Sequence, residues 1–142
     1  MNWPSHHFID ANLIMYSVGG GHPLRDPCKR ILQQIKAATI LAVTDTEVPQ
    51  EIFSRFFPVD RPNLTEIAYD SMVPLCTTIL PTTLQDMDKA LELLKRHKDI
   101  TSRDTVHAAT MIHHGIKEII SVNRHFDLIL KIKRMDPASF SA

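Results

Sequence analysis

SRDTVHAATMIHHGIKEIISVN, residues 102–123, is the stretch on which the fold turns. Ser102 has the side chain of a helix N-cap, and Gly115 suits the position just past a last turn, where a left-handed backbone stops the helix. Residues 103–114 therefore read as helix, with His113 and His114 beside the C-terminal carbonyls that favour positive charge. Residues 118–122 (EIISV) then form a short apolar run with the length of a buried strand.

The same alternation runs outward in both directions. Residues 6–9 read as a buried strand that ends at Asp10. Gly19, Gly20 and Gly21 break the chain, and Pro27 suits the first position of a helix over residues 27–37, with Cys28, Ile31, Leu32 and Ile35 at helical spacing. TILAVT, residues 39–44, reads as a second strand. Thr44, Asp45 and Thr46 are candidate caps for a helix running to about residue 57, with Pro49 in its first turn and residues 58–62 as its stop. Residues 64–73 read as helix and CTTIL, residues 76–80, as strand. Thr82 or Thr83 caps the next helix, whose core stripe is Met87, Leu91 and Leu94 with Ala90 beside it, and whose end is basic at Lys95, Arg96 and Lys98. After a loop at Asn123, residues 128–132 suit a short helix or turn, and Asp136-Pro137 begins a last strand or tail. Strands alternating with helices predict an α/β fold: a mainly parallel sheet covered by helices on both sides.

The 142 residues predict one domain, 1–142, large enough for a real core. Sixteen basic side chains balance sixteen acidic ones, so bulk charge does not attract phosphate, and nucleic acid would be met by a local patch or a bound metal. Cys28 and Cys76 stand far apart and outside any CxxC pattern, which excludes a zinc cluster and predicts two buried free thiols. The N-terminus has no signal-peptide pattern, and no apolar run reaches the ~20 residues of a membrane span. The expectation is a soluble cytoplasmic protein with no membrane partner.

Ligands of an open parallel sheet gather at the carboxyl ends of its strands. Asp10, Glu51, Asp104 and Asn123 can converge there from four separate stretches. Three crowded carboxylates repel one another and rise in pKa unless a cation neutralises them. Oxygen donors with no cysteine select Mg²⁺ or Mn²⁺. Such an ion can polarise a phosphoryl oxygen and acidify a water.

FIDANLIMY (8–16), VPQEI (48–52), SRDTVHAATMIHHGI (102–116) and IISVNRHFDLI (119–129), followed by DP at 136–137, resemble the motif series of PIN domains. The closest likeness is to VapC-type toxins of prokaryotic toxin–antitoxin pairs. The resemblance implies a three-layer α/β/α sandwich and a Mg²⁺- or Mn²⁺-dependent endoribonuclease. It also implies a small antitoxin partner and often a homodimer. It makes Asp10, Glu51 and Asp104 the metal ligands, and Asn12 the polar residue that orients them or a water. Glu51 is preferred over Glu47, which shares its helix face. At Asn123 the chain departs from the family, which often has Asp there. An amide oxygen can still serve the site but brings no charge, so a second metal should bind less well. Asp127 is assigned to packing and turn formation, not rescue.

Arg103 and Arg124, beside the proposed ligands, are candidate contacts to RNA phosphate. His107 is expected to be packed or hydrogen-bonded rather than catalytic, and Asp45 to be a cap. The reaction so implied is hydrolysis of single-stranded or loop RNA to 5′-phosphate and 3′-hydroxyl ends. Two alternatives stand beside it: a weakened or inactive PIN-like module that binds RNA or protein, and an RNA-processing nuclease outside any toxin system.

Overall fold

A computed structural model of the chain describes residues 5–59 and 62–140. Five strands form one sheet: β1 (His6–Ile9), β2 (Leu41–Asp45), β3 (Cys76–Leu80), β4 (Glu118–Ile120) and β5 (Lys133–Met135). Every strand pair is parallel, in the order β3-β2-β1-β4-β5. The chain winds outward from β1 through β2 to β3, then crosses back to lay β4 against the other edge of β1. Connections from the two central strands thus leave in opposite directions, and a crevice opens between their carboxyl ends.

Side chains alternate across the sheet and separate two cores. Phe8, Val43 and Ile119 face one side, with Val48 and Ile52 of α3 (Glu47–Phe56), Leu93 of α5 (Leu84–Arg96) and Ala108 and Met111 of α6 (Ser102–His113). Ile9, Ala42 and Ile120 face the other, with Leu13 of α1 (Ala11–Val18) and Cys28, Ile31 and Ile35 of α2 (Arg25–Lys36). Helix α4 (Pro62–Met72) adds Ala68 and Met72 to the first core. The predicted three-layer α/β/α arrangement is present, with a wholly parallel sheet.

Several expectations are corrected in detail. Helix α1 was not foreseen in the run after Asp10, although Ala11, Ile14 and Ser17 give its buried face a three-residue spacing. Helix α2 begins at Arg25, which puts Pro27 third, still within the turn that needs no donor. The cap of α6 is Thr101, whose hydroxyl accepts from Asp104 N–H at 3.3 Å, and Ser102 is the first helical residue. Gly115 does stop that helix, at φ 68°. The last strand ends at Met135, before Asp136-Pro137 rather than at it. Cys28 is buried and Cys76 only half so. Of the stop expected at 58–62, residues 60 and 61 lie outside the described residues.

The stripe on α5 is also corrected. Met87 and Leu91 are 48% and 54% exposed, while Asp86, Ala90 and Leu93 are buried. Asp86 turns inward because it is held on both sides. It accepts from Thr83 N–H at 2.9 Å in a capping box with the Thr83 hydroxyl, and it meets His113 Nδ1 at 2.5 Å. Replacing Thr83 by Ala should cost about 1 kcal/mol, read as a lower urea midpoint at unchanged slope.

Candidate active site

Asp10 directly follows β1, at the crevice. Its Oδ1 accepts from Ala11 N–H at 2.8 Å, capping α1, and its Oδ2 accepts from the Ser121 hydroxyl at 2.6 Å and from Asn12 Nδ2 at 3.1 Å. Ser121 directly follows β4 and is fully buried. It ties the two central strand ends together, and Asn12 also reaches it at 3.2 Å. Sequence reasoning missed Ser121. Its signal was only its place at the end of a strand, which became informative once β4 lay beside β1.

Asp104 is the third residue of α6, carried to the crevice by the Thr101 cap. Asn123 Nδ2 donates to Asp104 Oδ2 in a short hydrogen bond, and Asn123 Oδ1 accepts from His125 N–H at 3.0 Å. Asn123 thus lines the pocket, donates to the Asp104 carboxylate, and keeps a second lone pair on its amide oxygen. Asp127, on the surface, pairs with Arg134 at 3.0 Å.

Glu51 lies on α3, one turn before Arg55, which approaches it at 3.7 Å. Both side chains line a pocket of about 500 Å³ with Asp10, Asn12, Asp104 and Asn123. Glu47 is not on that wall; it faces Arg103 Nε at 3.7 Å. Arg103 does line the pocket, and one of its guanidinium nitrogens donates to Ser54 Oγ at 2.9 Å. Arg124 is exposed and does not line it, whereas Arg55, not singled out from sequence, does.

His107 sits one helical turn after Asp104 and is fully buried. Its Nδ1 lies 2.8 Å from Asp45 Oδ2 and 3.0 Å from Asp45 Oδ1. Asp45, also fully buried, caps α3 as expected by accepting from Glu47 and Val48 N–H. The other ring nitrogen, Nε2, faces Asp10 Oδ1 at 3.7 Å and Glu51 Oε1 at 3.8 Å. Ligand atoms of Asp10, Asp104 and His107 all lie within 4.8 Å of one another.

Electrostatics follow from that geometry. Burial, opposed by the His107 charge and reinforced by Asp104, lifts Asp10 from 3.8 to about 6. Burial also raises Asp104, against the Thr101 hydrogen bond and His107. Burial would raise Glu51 too, but the nearby His107 ring and its charge, helped by Arg55 and Arg103, pull it below the usual range. Burial would lower His107, yet Asp45, Glu51 and Asp10 overcome it and hold the imidazole well above its ordinary value. Mutual repulsion is thus a smaller cause than desolvation. Two buried carboxylates that ionise reluctantly, beside a buried ring nitrogen with no hydrogen-bond partner among the described residues, form a donor set suited to a divalent cation.

Comparison with known proteins agrees with this architecture. The family model described as PIN domain matches residues 7–131. Ribonuclease VapC13 of Mycobacterium tuberculosis is 34% identical over 127 residues, 89% of this chain and 97% of the relative. Among solved structures, VapC20 of M. tuberculosis, described as a sarcin-ricin loop cleaving toxin, is similar with a TM-score of 0.66 at 18% identity, covering 79% of this chain and 85% of that one. VapBC2 from Rickettsia felis, bound to a DNA fragment from its promoter, is similar with a TM-score of 0.70 at 15% identity over 91% and 96% of the two chains.

Proposed function

The chain belongs to the PIN-domain family, and from that premise we propose that it is a Mg²⁺- or Mn²⁺-dependent endoribonuclease acting as the toxin of a toxin–antitoxin pair. The observation that carries the reading is the meeting of Asp10 and Asp104 at the one crevice of the sheet, with ligand atoms within 4.8 Å and both carboxyls raised. Asp10, Asp104 and Glu51 would hold the cation. When bound, it supplies a Lewis acid that polarises the scissile phosphoryl group and acidifies water.

The chain's own residues do the rest. Ser121 and Asn12 fix the Asp10 carboxylate by donating to one oxygen. Asn123 and the Thr101 cap fix Asp104. Arg55 and Arg103, which line the pocket, would meet phosphate oxygens. The exposure and location of Arg124 favour an RNA contact outside the pocket. Overall the oxygen of water joins phosphorus and the bond to the 3′-oxygen breaks, leaving a 5′-phosphate and a 3′-hydroxyl.

The reading takes residues 1–142 as one domain working in the cytoplasm. Among the described residues no helix is long and apolar enough to cross a membrane. A small antitoxin and a second copy of the chain are the proposed protein partners. Leu84, Met87 and Leu91 leave an apolar stripe exposed on α5 that a protein surface would cover.

Asn123 supports a second reading, a catalytically weakened module. Mn²⁺-dependent cleavage of a mixed RNA pool separates the two. Wild type should release 5′-phosphorylated fragments, and Asp10→Asn and Asp104→Asn should not. Equal residual cleavage in both variants and wild type would defeat the nuclease reading.

A further inference from the structure

His107 is fully buried behind the carboxylates of the pocket, and the cleavage reading gives it no task. Both oxygens of Asp45 crowd its Nδ1, while Asp45 Oδ1 already accepts from two backbone N–H groups of α3. A carboxylate so placed accepts, so Nδ1 carries the hydrogen. That fixes the ring and aims Nε2 at the acidic crevice. There it is fully buried, without a hydrogen-bond partner among the described residues.

Its nearest oxygens stand at 3.7 and 3.8 Å, beyond a hydrogen bond. Two donors about 2.1 Å from one ion, at about 90–120° to each other, stand about 3.0–3.6 Å apart. The spacing in the crevice is close to that of two ligands on a shared cation. A carboxylate that orients a histidine whose far nitrogen meets a metal is a recurrent device for fixing the tautomer and raising donor strength.

We propose that His107 Nε2 is a direct nitrogen ligand of the divalent cation, with Asp45 as its positioning partner, and that this donor makes the site prefer Mn²⁺ over Mg²⁺. The inference rests on the metal reading given under the proposed function. Imidazole nitrogen is a poor donor for Mg²⁺, which favours oxygen and water, and a better one for transition ions. Ligation takes the place of any proton at Nε2, which leaves the ring neutral with its hydrogen on Asp45.

The test is pulsed EPR of Mn²⁺ bound to the full chain, prepared with ordinary histidine and with histidine carrying the heavy nitrogen isotope. Histidine nitrogen coupling to Mn²⁺ that changes with the isotope is expected, and it needs no variant to fold. His107→Gln should abolish the coupling and weaken Mn²⁺ binding about 10–100-fold, with Mg²⁺ binding weakened far less by calorimetry. Mn²⁺ that binds wild type, is lost in Asp10→Asn and shows no histidine coupling would overturn this inference and leave the metal reading standing. His107 would then be a buried cation that balances carboxylates. Failure of wild type to bind Mn²⁺ at all would overturn both.

Discussion

Asp10→Asn will stabilise the metal-free protein at neutral pH while lowering Mn²⁺-dependent cleavage by about a thousandfold or more, a loss of several kcal/mol of transition-state stabilisation. In the unfolded chain this carboxyl ionises near its ordinary 3.8, and in the folded metal-free protein near 6. Between those values the folded state holds more protons than the unfolded one, so stability falls as pH rises. Above pH 6 the full cost is present, about 3 kcal/mol by order of magnitude for a side chain buried this completely. An amide removes it but sacrifices one good hydrogen bond, because Asn12 Nδ2 and a new amide would both donate. That loss is about 1 kcal/mol. A net gain of about 1–2 kcal/mol remains, several degrees in Tm. The gain should vanish below about pH 4, where Asp10 is protonated in both states. Saturating Mn²⁺ should reverse the order, adding about 2.7 kcal/mol to wild type at a hundredfold excess over Kd and little to the variant. Equal Tm values for the two proteins at pH 7, with and without Mn²⁺, would remove the carboxylate from any electrostatic role.

Those opposed effects explain why parts of the site were readable in advance and others were not. Asp10 and Asp104 stand out through the likeness of their motifs to a family. An acid at the end of an apolar run or in the first turn of a helix has an ordinary structural use, and Asp10 does cap α1. The strands at residues 6–9 and 76–80 were legible as short apolar stretches between clear breaks. Helix α1 was not, since eight mostly apolar residues fit either period, and the Asp10 cap that starts it looked like part of the site. On α5 the cap was identified but the buried face was not. Counting apolar residues puts Met87 and Leu91 inward, while the structure buries Asp86 against Thr83 and His113. A face anchored by a paired carboxylate defeats a pattern built on hydrophobicity. Asp45 and His107 are separated by 62 residues, and nothing in local spacing connects them. Their partnership depends on β2 and α6 meeting across the core, as that of Ser121 and Asp10 depends on strand order.

Asp45→Ala should be the most destabilising change in the site, costing about 3–5 kcal/mol. Two losses combine. The first is the cap on α3, where Asp45 Oδ1 serves Glu47 and Val48 N–H at 3.1 and 3.2 Å; a lost cap costs about 1 kcal/mol. The second and larger loss strands His107, whose buried Nδ1 would face a void. Burial then goes unopposed by its strongest partner, and the imidazole should fall back from its raised value. Asp45→Asn keeps an oxygen for the cap and should cost less. A double-mutant cycle with His107→Gln separates the terms: if the stranded ring dominates, the double variant will cost clearly less than the sum of the singles. Urea unfolding read by circular dichroism supplies all four values. A cost below about 1 kcal/mol for Asp45→Ala would mean that only the cap was lost. Because Asp45 sets where α3 begins and Glu51 lies on its second turn, the same residue that steadies the histidine also aims a second carboxylate at the crevice. Cleavage should therefore fall in Asp45→Asn even at temperatures where that variant is fully folded.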